Sequence, residues 1–197
     1  MTYDPSFAQR ARTPKERFEI AVGAILTQNT AWANVEKALC SLKEQRLLDP
    51  AKLARARLPR LARAIRSSGY HTQKARKLRI LSCFARSKKP WTRADLLALW
   101  GVGPETADSI LLYALQQPLF VIDAYTRRAL RRLGLAKGDE PYEELQALFH
   151  RALPADPALF NEFHALLVKL GKSMCAPVPR CAQCPLRPQC PTGQQAL

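Results

Sequence analysis

The chain has 197 residues, enough for one sizeable domain or two smaller ones with apolar cores of their own, so no disulfide framework is needed to hold it together. A formal charge of +15 at pH 7 points to a polyanionic partner, since charge speaks to association and not to fold. With no run of about eighteen apolar residues and no apolar stretch in "MTYDPSFAQRARTPKERFEI", the expectation is neither a membrane span nor a secretory signal. The expectation is a cytoplasmic protein whose six cysteines are metal ligands or buried thiols.

The predicted elements begin at Phe18. "FEIAVGAILTQNT" is apolar on most faces, as a central buried helix is, and runs into the polar cluster Thr27, Gln28, Asn29 and Thr30. From Trp32 to Leu42 apolar residues recur at 32, 35, 38, 39 and 42, a helical spacing. Short helical segments follow around Leu53, Leu61 to Ile65, Ala75 to Phe84 and Leu96 to Trp100, with breaks at Pro50, Pro59, Gly69, Pro90 and Gly101. Between Lys43 and Arg93 the only acids are Glu44 and Asp49 against a long series of Lys and Arg. After Gly101-Val102-Gly103 a helix runs to about Leu115 and stops at Gln117-Pro118; "PLFVI" is β-prone, so a strand there stays open. Helical spacing resumes over Asp123 to Leu133, Tyr142 to Leu153 and Pro157 to Leu170. The tail from Cys175 has no helical period, which makes the whole an all-α protein of about nine or ten helices.

Gly101 and Gly103 permit a backbone path that side chains would obstruct, and Pro104 suits the first helical position. The turn therefore offers backbone N–H groups at a helix start, where a DNA phosphate binds well; a plain helical hairpin is the alternative. Eighteen residues after Glu105, Asp123 follows an apolar run at the next helix start. It reads as an N-cap, and a carboxylate anchored by helix-start amides stays charged, which suits it to stabilise a developing cation. Cys175, Cys181, Cys184 and Cys190 read C-x5-C-x2-C-x5-C, a spacing that leaves zinc and a [4Fe-4S] cluster equally open. Cys40 and Cys83 read as core thiols, and His71, His150 and His164 as surface or satisfied core residues without ligand spacing.

Together "ILTQNT", the Gly-Val-Gly hairpin, the later acid and the closely following cysteine loop resemble the endonuclease III branch of the helix-hairpin-helix (HhH-GPD) DNA glycosylases, from Phe18 to Cys190. "FEIAVGAILTQNTAWANVEKAL", "SGYHTQKARKL" and "GVGPETADSILLYA" look closer to the bacterial 3-methyladenine DNA glycosylases of endonuclease III type than to the thymine-glycol enzymes. The resemblance implies an all-α, two-lobed fold that holds duplex DNA between its lobes and flips a damaged base out of it. It implies a six-helix domain over 18–117 and a second helical domain from 1–17 and 118–197, ending in an iron-sulfur loop at 175–190. Carried over by position, Asp123 is the catalytic aspartate and Gly101, Val102 and Gly103 form the phosphate-binding turn. Gln28 probes the space left by the flipped base, Tyr70 wedges into the duplex, and Cys175, Cys181, Cys184 and Cys190 ligate a [4Fe-4S] cluster. No membrane and no second subunit are implied.

Glu105 is a departure. Bifunctional members carry a lysine there, whose amine attacks the sugar C1′ and forms a Schiff base, which a carboxylate cannot do. The expectation is a monofunctional base-excision glycosylase with alkylated purine as the leading substrate, stacked on Trp32 if that ring is not simply core. Two alternatives stand beside it: a glycosylase and lyase acting on oxidised pyrimidines, with Lys172 or Lys74 supplying the amine, and a non-catalytic damage-binding protein. Two further departures are a first cysteine gap of five residues where the endonuclease III pattern has six, and the lack of the aromatic cluster that the alkyl-base enzymes carry before the first core helix.

Overall fold

The computed structural model describes residues 12–87 and 89–195, and every regular element among them is helical. The chain divides into two compact units whose described residues run 12–115 and 116–195.

In the first unit Thr13 caps α1 (Pro14–Thr27). Its hydroxyl accepts from the Glu16 amide at 3.3 Å, the Glu16 carboxylate accepts from the Thr13 amide at 2.9 Å, and Pro14 fills the first helical position. This capping box starts the helix four residues before Phe18. Residues 14–17, assigned on the sequence to the second domain, are thus the first turn of α1 and belong to the first unit; the assignment of residues 1–11 lies outside the described residues. Val22, Ile25 and Leu26 are fully buried, each contributing about 1.5–3 kcal/mol of apolar burial, as α1 packs on the helices that follow.

Those are α2 (Trp32–Glu44), α3 (Pro50–Arg55), α4 (Leu58–Ala64), a 3₁₀ turn at Arg66–Ser68, α5 (His71–Arg86), α6 (Arg93–Leu97) and α7 (Pro104–Leu115). The described residues of this unit thus form seven α-helices where six were expected. Pro50 and Pro59, read as breaks, sit in the first turns of α3 and α4, where a missing N–H costs nothing, so they start short helices. Cys40 and Cys83 are exposed, not core thiols. α2 buries Val35, Ala38, Leu39 and Leu42, and Cys40 falls outside that stripe, its thiol turned to Glu44 at 3.3 Å. α6 and α7 are tied by Arg93, whose guanidinium donates to both oxygens of the buried Asp108 carboxylate at 2.7 and 3.2 Å.

The second unit contains α8 (Ala124–Arg132), α9 (Tyr142–Ala152), α10 (Pro157–Ser173) and α11 (Pro191–Gln195). Residues 118–122 form no strand. Phe120, Val121 and Ile122 are buried, and α9 side chains do the pairing that a neighbouring strand would have done. The Phe120 amide donates to His150 Nε2 at 3.1 Å, its carbonyl accepts from Gln146 at 2.7 Å, and the Ile122 amide donates to the Tyr142 hydroxyl at 3.2 Å. Phe120 stacks on Phe149 with ring centroids 3.7 Å apart and meets Phe160 edge-on, which fixes the segment leading into Asp123. No helix among the described residues is long and apolar enough to cross a membrane.

Candidate functional site

In the first unit Gln28 meets the Gly101–Gly103 turn before α7. Gly101 has φ +80°, and a Cβ there would come within 2.4 Å of the Lys77 side chain, so this position requires glycine. Gly103 differs: a Cβ on it would meet nothing within 4 Å, and the fold itself leaves its face open to an approaching group. Val102 is buried and anchors the turn through its amide to the Leu99 carbonyl at 3.0 Å. Pro104 opens α7, and the exposed Glu105 follows it, where the first amides of a helix favour negative charge.

Gln28, just past the end of α1, is built into this turn. Its amide nitrogen donates to the Gly101 carbonyl at 3.1 Å and to the buried Thr106 hydroxyl at 2.9 Å, while its oxygen accepts from Lys77 Nζ at 2.6 Å. One side chain therefore links α1, α5 and the hairpin. Tyr70 lies at the start of α5 after Gly69, and both have positive φ, +66° for Gly69 and +43° for Tyr70. A bulky residue in the left-handed region is costly, and here it projects a ring that is 66% exposed. Beneath it Lys74 is buried, its ammonium donating to the Leu26 carbonyl at 2.9 Å and the Ser68 carbonyl at 2.6 Å. Burial, with the nearby Lys77 charge, lowers the Lys74 pKa to about 8. Trp32 begins α2 half-buried against Gly23, and its indole Nε1 is buried without a hydrogen-bond partner.

In the second unit Asp123 is the N-cap of α8, with Oδ1 accepting from the Thr126 amide at 2.7 Å. Its other oxygen lies 3.5 Å from Nε2 of His164, a nearly buried residue of α10. Burial pushes the Asp123 carboxyl up, but the His164 imidazole beside it and the Thr126 amide outweigh this and hold the group below the usual carboxylate range. His164, read on the sequence as a surface or satisfied core residue, thus belongs to the Asp123 site. No local signal marks a partner forty-one positions away on another helix.

The four cysteines of the tail are unbridged and half-buried. α8 holds their loop. Arg128 donates to the Cys175 and Gly171 carbonyls at 2.7 and 2.9 Å, and Arg132 to the Ala176 carbonyl at 2.6 Å and the Pro177 carbonyl at 2.9 Å. Arg132 also reaches Cys175 Sγ at 3.3 Å, and the Gly193 amide reaches Cys190 Sγ at 3.4 Å. Among the described residues no three Cys, His, Asp or Glu side chains are grouped as ligands of a single metal ion. Arg127, Arg128 and Arg132 each donate to carbonyls of their own unit.

A family model for HhH-GPD superfamily base excision DNA repair proteins matches residues 22–155. A putative DNA repair glycosylase of Methanocaldococcus jannaschii is 41% identical over 187 residues, covering 88% of this chain and 85% of the relative. Among solved structures, endonuclease III trapped as a covalent intermediate with DNA aligns with a TM-score of 0.80 at 26% identity, over 94% of this chain and 87% of that one. The H. pylori 3-methyladenine DNA glycosylase MagIII bound to 1,N6-ethenoadenine aligns with a TM-score of 0.68 at 29% identity, over 85% and 92%. The chain belongs to the HhH-GPD superfamily of base excision DNA repair proteins, in its endonuclease III-like branch, and is an enzyme of the DNA glycosylase class.

Proposed function

We propose that the protein is a monofunctional DNA glycosylase, hydrolysing the N-glycosidic bond of a damaged base flipped from duplex DNA, with alkylated purines as its substrates. The observation that carries this reading is the carboxylate of Glu105 at the helix start where lyase-competent relatives present an amine. Lys74 is a poor substitute for that amine, because its nitrogen is buried and bonded to two carbonyls. Lys172 lies over the Tyr125 ring at 6.0 Å.

In this mechanism the C1′–N bond breaks with its electron pair leaving on the base, and Asp123, kept ionised, faces the oxocarbenium-like sugar. The same carboxylate takes a proton from the water that adds to C1′ and releases it to solvent, because a cationic methylated purine departs with the bonding pair as the neutral base and needs none. A cationic methylated purine already has a weakened glycosidic bond, and the half-buried Trp32 offers an indole face on which it can stack. Gly101 to Gly103 hold a backbone phosphate, Tyr70 wedges into the duplex, and Gln28 probes the gap. That the MagIII relative is a 3-methyladenine enzyme supports the choice of substrate.

We assign a [4Fe-4S] cluster to Cys175, Cys181, Cys184 and Cys190. The donor set fits: four unbridged thiols in one short loop, two of them within reach of N–H donors. When bound, the cluster crosslinks the loop and orders its surface.

Asp123→Asn tests the mechanism. The variant is expected to bind duplex DNA containing an abasic analogue normally and to excise methylated purines from dimethyl-sulfate-treated DNA at least about 100-fold more slowly. Excision at the wild-type rate would remove Asp123 from the chemistry.

A further inference from the structure

The Asp123 carboxylate has two oxygens, and only one is accounted for by the helix it caps. Oδ1 is fixed by the Thr126 amide at 2.7 Å. A carboxylate held at one oxygen still rotates about its Cβ–Cγ bond, and that rotation moves the face presented to the sugar. Oδ2 lies 3.5 Å from His164 Nε2, with the Asp123 and His164 side chains only 13% and 11% exposed. The imidazole is itself constrained. It meets the Phe120 ring nearly edge-on, 6.3 Å between centroids, and Phe120 is wedged by Phe149, Phe160 and Phe163. α8 and α10 are packed closely enough that a Cβ on Gly171 would come within 2.5 Å of the Tyr125 ring, so the two partners sit on elements that do not slide freely.

We propose that His164 is a positioning residue of the excision reaction: it fixes Asp123 through Oδ2, as the Thr126 amide fixes it through Oδ1. The proposal rests on the reading of Asp123 as the catalytic carboxylate. Its chemical content is that the carboxylate meets the developing cation already oriented and already charged, so no reorganisation is needed when the glycosidic bond breaks.

Among the described residues of this unit, several neighbouring ionisable side chains are engaged elsewhere. On α8, Arg127 reaches the Glu140 carbonyl, and Arg128 and Arg132 reach the cysteine loop. On α9, His150 accepts from the Phe120 amide and Tyr142 from the Ile122 amide. On α10, Lys172 lies over Tyr125.

The test compares the full-length wild type with His164→Phe, His164→Gln, Asp123→Asn and the Asp123→Asn/His164→Phe pair. Single-turnover excision from dimethyl-sulfate-treated duplex DNA is followed between pH 5 and 9, alongside affinity for a duplex with a tetrahydrofuran abasic site. His164→Phe is expected to slow excision about 10- to 100-fold, the size that follows misplacement of a reacting group. It should also move the acid limb of the pH profile upward, because the carboxylate loses the partner that favours its charged form, while abasic-site affinity stays within about twofold. His164→Gln, which keeps a donor, should recover part of the rate, and His164→Phe should add nothing in the Asp123→Asn background. An unchanged rate and acid limb in His164→Phe would overturn the proposal, as would equal losses in the presence and absence of the Asp123 carboxylate. If Asp123→Asn itself excises normally, the failure lies in the catalytic reading and not in the pairing. Should His164→Phe fold poorly, His164→Gln decides: an acid limb at the wild-type position together with a wild-type rate contradicts the assignment.

Discussion

Lys74 carries its charge into the core of the first unit, where its ammonium joins the end of α1 to the turn that precedes Tyr70. Its folded-state pKa, lowered to about 8, lies below the ordinary 10.5, so the unfolded chain binds more protons between those values. Stability of the wild type relative to Lys74→Met is therefore expected to rise as the pH climbs from 8 towards 10.5, which urea unfolding at a series of pH values would read. A constant difference across that range would contradict the burial of the charge. Asp123 gives a pH dependence of the same sign in the acid range: its lowered pKa contributes stability above the unfolded carboxylate value that is lost as the pH falls through the folded one. The sequence contained a hint of Lys74, since α5 buries 74, 75, 78, 81 and 82 and a lysine on that stripe is out of place. It held no hint that Gln28 is bonded to Gly101, Thr106 and Lys77, because those contacts join three elements far apart in the chain.

At the scale of elements, the hairpin depends on what holds α6, α7 and the turn in place. Arg93→Ala removes the guanidinium from the buried Asp108 carboxylate, and the expected loss is about 2–4 kcal/mol in urea unfolding, at the lower end because Arg93 keeps 29% exposure. Gly101→Ala is strained twice, by φ +80° and by the Lys77 side chain, which must leave Gln28 to make room. It should weaken duplex binding, whereas Gly103→Ala, facing open space, should leave the unfolding midpoint nearly unchanged and reveal itself only in DNA affinity. Equal stability losses in the two would undo the distinction. The helices were legible where the apolar period is clear, as at α9 and α10, and less so where a capping box lies outside the apolar run, as at Thr13. "PLFVI" invited a strand because its residues are β-prone; side chains of α9 satisfy its backbone instead, a tertiary solution that no local propensity encodes.

At the scale of the molecule, the charge of +15 sets how the protein meets its substrate. Affinity for undamaged duplex DNA is expected to fall steeply and linearly in log–log form with salt, with a slope given by the number of phosphates neutralised. Arg128→Ala should leave that slope unchanged, because the guanidinium is bonded to Cys175 and Gly171 and disturbs the cysteine loop when lost. Purified protein should be brown with iron and sulfide in equal amounts, and a colourless zinc-loaded protein of undiminished stability would contradict the cluster. Family and reaction class were legible because order and spacing of motifs survive in sequence; the Asp123–His164 contact was not, because it exists only once α8 and α10 pack. The central claim is hydrolysis without strand cleavage. The most direct measurement incubates the protein with end-labelled duplexes carrying methylated purine, thymine glycol or uracil and runs each sample with and without alkali, with a borohydride aliquot in parallel. Breaks on the methylated purine duplex that appear only after alkali, and no covalent adduct, are the expected result. Breaks without alkali, or a trapped protein–DNA adduct, would mean that an amine attacks C1′ and that Glu105 does not decide the chemistry.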